Sequence, residues 1–123
     1  VRLWHEALIP QLPRQQLLGQ WRECIALLGN GWGKKHKTVD YVFTYSDKKL
    51  LRYAGLVYDE MIKRGYSPDY KRVIYALSRR YNYEITEANS LLHALDNETP
   101  YSEHNEEYLQ ECLLNLNTKG IKI

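Results

Sequence analysis

Residues 46–65 read SDKKLLRYAGLVYDEMIKRG, and this stretch decides the fold class. Leu50, Ala54, Val57 and Met61 recur every three or four residues, the spacing that lines one face of an α-helix. Ser46 or Asp47 can accept hydrogen bonds from the first-turn amides, Lys63 and Arg64 suit the negative end, and Gly65 stops the helix. An apolar stripe of this kind has to be buried, so the rest of the chain must supply partners for it. Upstream, a second helical pattern runs over 13–28 and buries Leu17, Leu18, Trp21, Cys24, Ile25 and Leu28, with Pro13 at its start and Gly29 as its stop. At about 100° per residue, Gln16, Gly19, Gln20 and Glu23 fall together opposite that stripe, a polar face with one carboxylate, narrow at Gly19.

Downstream, a helix is expected from near Pro68 to Tyr81, burying Val73, Ile74 and Leu77 with Arg72 and Arg79 on one side. Thr86 can cap a short helix through Leu95, and Ser102 a last one, EHNEEYLQECLLNLN, that buries Leu109, Cys112, Leu113 and Leu116 before Gly120. Between the first two helices lies NGWGKKHKTVDYVFTY, residues 30–45, read as a basic loop. The alternation of Val39, Tyr41, Phe43 and Tyr45 equally fits a short strand, which would have no partner here. The chain therefore reads as all-α: a compact helical bundle of about four to five helices with a basic loop after the first long one.

At 123 residues the whole chain suits a single domain, and no stretch approaches the roughly 20 apolar residues that span a bilayer. The opening VRLWHEALIPQLPR carries Arg2 and Glu6 where a signal peptide would be apolar, so a cytoplasmic protein is expected. Cys24 and Cys112 each sit within an apolar helical pattern and outside any metal-ligand spacing, which implies buried reduced thiols. The four histidines are scattered, and phosphate-loop, zinc-protease, serine-hydrolase and dinucleotide motifs are all missing, so neither metal nor cofactor is expected.

Charge is informative by position. Residues 1–80 hold 15 Lys and Arg against 7 Asp and Glu, a net of +8, whereas residues 81–123 hold 2 against 8, a net of −6. A cationic segment neutralises phosphates and releases counterions, so nucleic acid is the leading partner class, with the acidic last helix expected to dock away from the phosphate surface. The competing account is a solvated basic surface packed against an acidic tail. Glu23, directly after Arg22, is the first catalytic candidate, although a glutamate on the polar side of a helix is usually just hydrated.

Three runs in order add to this: RQQLLGQWRE, then the Gly29 to His36 segment with its Lys34, Lys35, His36 triplet, then SDKKLLRYAGLVYDEMIKRGY. Together, over residues 1–66, their order and spacing resemble the pyrimidine-dimer DNA glycosylase/AP lyase family. The resemblance implies an all-helical enzyme acting on damaged double-stranded DNA as a monomer. Its nucleophile would be the chain's own α-amine, here on Val1, with Glu23 as the partner acid. An α-amine with a pKa of about 7.7 to 8.0 is roughly a tenth to a fifth unprotonated at pH 7, far more than an ordinary lysine, so it can attack a sugar carbon without a metal. Arg2, Arg14, Arg22, Lys34, Lys35 and His36 would hold phosphates, and Trp32 would either wedge the duplex or anchor its loop to the core. His5 and His104 read as capping or core residues. Gln16 and Ala26 stand where the family's phage member has a histidine and an arginine, and the acidic end replaces an aromatic, basic tail. Alternatives are a non-catalytic nucleic-acid-binding module on the same scaffold and a helical protein-interaction domain.

Overall fold

The computed structural model describes residues 2–69, 71–73 and 98–123. Among these residues lie three complete α-helices, two 3₁₀ helices and, at 71–73, the opening turn of a further helix, and no strand occurs among them. The helices are α1 (Arg14–Leu28), α2 (Asp47–Lys63) and α3 (Glu106–Thr118); the 3₁₀ helices are Glu6–Gln11 and Asp40–Thr44. No helix among the described residues is long and apolar enough to cross a membrane.

The element read first from the sequence forms as expected. The Ser46 side chain accepts from the Lys48 N–H, and the stripe Leu50, Ala54, Val57 and Met61 is buried. At the other end the N–H of Gly65 reaches Ile62 O (3.0 Å) and that of Tyr66 reaches Met61 O (2.9 Å). α3 ends with the same pair of bonds at Gly120 and Ile121, and both glycines have φ of +82°, a conformation that a side chain would strain. α1 stops differently. Gly31 N–H turns back onto Ala26 O at 2.8 Å, and a Cβ there would lie 2.7 Å from that oxygen, so only glycine fits where the basic loop begins.

α2 is the hub: α1 and both 3₁₀ helices pack against it. The N-terminal 3₁₀ helix, which the sequence pattern does not announce, is capped by the His5 ring accepting from Ala7 N–H and inserts Leu8 and Ile9 into the core. An ion pair between Arg52 of α2 and Glu6 (2.6 Å), both mostly shielded from solvent, fastens it. Arg64 adds a bond to Pro10 O at 3.1 Å.

Residues 40–44 are neither loop nor strand. A lone strand would leave its backbone groups unpaired, whereas a 3₁₀ turn satisfies them locally: Val42 N–H bonds Val39 O (3.0 Å) and Tyr45 N–H bonds Val42 O (3.3 Å). This three-residue rhythm buries Val39 and Val42 and leaves Tyr41, Phe43 and Tyr45 half-buried around them. The cap of α3 also differs from expectation. Asn105, not Ser102, accepts from Tyr108 N–H, because residues 101–104 form a turn that buries Tyr101 and His104 before the helix starts. In α3, Cys112 and Leu116 are buried, while Leu109 and Leu113 are only partly so. The helix expected over 68–81 is described only at its opening, where Val73 is buried; Ile74, Leu77 and Arg79, and the helix expected over 86–95, lie outside the described residues.

Candidate active site

The polar face of α1 borders an open cleft. This cleft, of about 380 Å³, is lined by Gln16, Gly19, Gln20 and Glu23 from α1, by Arg2 and Trp4, and by Thr38, Asn115 and Lys119. Four parts of the chain build it: α1 gives the wall, residues before the first 3₁₀ helix lie across it, the basic loop reaches it at Thr38, and α3 with its C-cap Lys119 closes one side. Gly19, lacking a side chain, keeps the middle of the wall low, with the Arg22 guanidinium 3.9 Å from where its Cβ would be.

Gln20 departs from the sequence reading. It lies on the polar face but is only 5% exposed, because the N-terminal segment covers it. Its Nε2 donates to Arg2 O (2.9 Å) and its Oε1 accepts from Trp4 N–H (3.1 Å) and from the Tyr53 hydroxyl (2.7 Å). Glu23, one turn further along, is half-buried in the cleft wall.

Two of the expected site residues with described positions, Arg2 and Glu23, share the cleft. Val1 lies outside the described residues and is covalently next to Arg2. The Arg2 guanidinium pairs with Glu111 at 3.3 Å and lies 5.9 Å from the centre of the Trp4 ring and 5.7 Å from that of Tyr108. Arg22 is exposed beside Gly19. Arg14 is exposed away from the lining, its guanidinium over the Tyr66 ring at 5.6 Å. Lys34, Lys35 and His36 are exposed on the loop, which meets the cleft at Thr38; the Thr38 hydroxyl lies 3.2 Å from His36 Nδ1, and Asp40 accepts from His36 N–H at 2.8 Å. Trp32 packs edge-on against Phe43, ring centres 5.0 Å apart, and is partly buried on the core.

Sequence reasoning missed Trp4, Thr38, Asn115 and Lys119. The last helix, expected to dock away from a phosphate surface, lends Asn115 to the cleft, its C-cap residue Lys119 joins it there, and its Glu111 pairs with Arg2. A signal existed: Lys119 is one of only two cations after residue 80, and it sits four residues from Asn115, on the same side of the helix. Its ammonium lies 5.3 Å from the centre of the Trp4 ring.

In the turn before α3, against the N-terminal 3₁₀ helix, His104 is buried. Its Nδ1 accepts from Glu6 N–H (3.3 Å), so the neutral ring carries its proton on Nε2, 2.7 Å from the Tyr41 hydroxyl. Burial, and then the neighbouring His5, push its pKa down to about 4. Burial also raises the thiols of Cys24 and Cys112, which are both unpaired. Tyr108 reaches across to donate to Leu3 O.

An all-helical scaffold that presents one carboxylate among cations in an open cleft has the make-up of a protein that handles a polyanion. The family model described as pyrimidine dimer DNA glycosylase matches residues 1–73, more than half of the chain, and the chain belongs to that family. The family is one of DNA glycosylases, so it implies DNA as the partner. No curated protein and no solved structure matches the chain. The family match ends before α3, so Asn115 and Lys119 reach the cleft from beyond it.

Proposed function

We propose that this protein is a bifunctional glycosylase and AP lyase that excises pyrimidine dimers, or opens abasic sites, through an imine to the α-amine of Val1. The observation that carries the reading is that Arg2, the neighbour of Val1, and Glu23 line one solvent-open cleft. The unprotonated amine attacks C1′ of the damaged nucleotide, and the bond from C1′ to the base breaks with the electron pair leaving on the base. Loss of a proton from nitrogen and opening of the sugar give the imine. Glu23 stabilises the cationic sugar and then takes the C2′ proton, which the imine has made acidic. β-Elimination expels the 3′ phosphate, and water hydrolyses the imine to free the amine. Arg2, next in the chain to Val1, favours the neutral, nucleophilic form of the amine by like-charge repulsion, tempered by its own pairing with Glu111. Arg14, Arg22, Lys34, Lys35 and His36 hold the duplex by its phosphates.

Borohydride reduction tests this. Protein with a free amine at Val1, incubated with abasic or dimer-containing duplex, should yield a stable covalent adduct mapping to residue 1. The absence of any adduct would reject the lyase reading, and an adduct on a lysine would reject Val1 as the nucleophile.

A further inference from the structure

The residues that follow Val1 have neither helix nor strand to hold them until Glu6, yet Leu3 and Trp4 are buried. One side chain grips them twice. Gln20 donates to the carbonyl of Arg2 and accepts from the N–H of Trp4, spanning residue 3 from the wall of α1. The orientation of its amide is fixed chemically, because the Arg2 carbonyl needs a donor and the Trp4 N–H needs an acceptor, and a flip would leave both facing their own kind. Tyr53 of α2 secures the grip from behind, its hydroxyl 2.7 Å from both Gln20 Oε1 and Trp4 O.

The placement is informative. Gln20 is three residues from Glu23 on α1, so the fastening lies one helical turn from the acid, on the same side of the helix. A leucine or methionine would pack in a core position without demanding partners, whereas a buried glutamine is specific about which backbone atoms sit opposite it. We infer that Gln20 is a positioning residue: it locks the start of the chain in register against α1, so that the amine and Glu23 meet the same sugar carbon. This inference rests on the lyase reading. Orientation of this kind is powerful, since a misplacement of about 1 Å can slow a reaction about a hundredfold without weakening substrate binding.

The experiment compares wild type, Gln20→Met and Leu28→Val, the last a core change away from the cleft that serves as the stability control, with the melting temperature of each measured first. Each is bound to duplex containing a tetrahydrofuran abasic analogue to obtain Kd, then mixed at saturation with a true abasic duplex to obtain the single-turnover rate of borohydride-trapped adduct. Gln20→Met should keep Kd within about twofold while its trapping rate falls at least about tenfold, with Leu28→Val trapping at the wild-type rate. Equal trapping by wild type and Gln20→Met overturns the positioning role and leaves the lyase reading intact. Equal slowing by Leu28→Val overturns it as well, by assigning the effect to stability. A wild type that traps nothing removes the lyase reading and this role together.

Discussion

Glu23 holds its place through helical geometry alone: it falls on the side of α1 that faces away from Leu17 and Cys24, and the segment carrying Arg2 lies against that side. Under the proposed mechanism its charge matters more than its shape. Glu23→Gln should leave affinity for an abasic-analogue duplex within about twofold while single-turnover strand cleavage falls about a hundredfold or more. Undiminished cleavage would take Glu23 out of the reaction. The residue was legible in the sequence, because the angular spacing of α1 and the Arg22, Glu23 step were both visible there. Gln20 was legible as a member of the same face but not as a buried one. Nothing in α1 shows that residues 2–4 will cover it, since that contact joins positions 16 and 18 residues apart through backbone atoms, which carry no pattern of their own.

Among the elements, the bounds of α1 and α2 could be read almost to the residue, because an apolar period and stop glycines agreed and a serine caps α2. Within α1 the stripe is corrected, since Leu18 and Ile25 are only partly buried and Leu27 is buried instead. The 3₁₀ helices could not be read. Each is held by a handful of i to i+3 bonds and by anchoring of Leu8, Ile9 and Val42 on α2, and so short a segment shows no period. The α3 cap was misassigned for a related reason, as Ser102 and Asn105 are both able caps and burial of Tyr101 and His104 settles the choice. The basic loop makes a prediction of its own. Lys34 and Lys35 are exposed, lie outside the cleft lining and are expected to meet phosphates. Replacing both with alanine should weaken binding to damaged and undamaged duplex alike and reduce the slope of log K against log salt by about 2. Salt titrations on both duplexes check this, and an unchanged slope would place the loop off the DNA.

For the whole molecule, stability should depend on acid through His104. Its folded pKa of about 4 lies below the ordinary value of 6.5, so between those limits the unfolded chain binds the extra proton and the folded chain does not. The neutral ring's contribution is thus complete above about pH 6.5 and is lost progressively as pH falls toward 4, by about 3 kcal/mol at most. Protonation would put an N–H on Nδ1 against the Glu6 N–H, loosening the turn before α3 from the N-terminal 3₁₀ helix. Urea titrations from pH 7 to 4.5 should show falling midpoints, and His104→Gln should flatten that fall whatever its stability at pH 7. The sequence foretold a core or capping role for this histidine. It could not foretell the docking, because His104 and Glu6 are 98 positions apart in the chain.

Cys24 and Cys112 have no measurable exposure, and burial holds both thiols in the protonated, unreactive form. They are the chain's two cysteines, so a thiol introduced on the surface, for instance by Lys35→Cys, would be alone in meeting a maleimide. A dye or a tether to a modified oligonucleotide can therefore be attached at one chosen point of the loop, with both native sulfurs left in place.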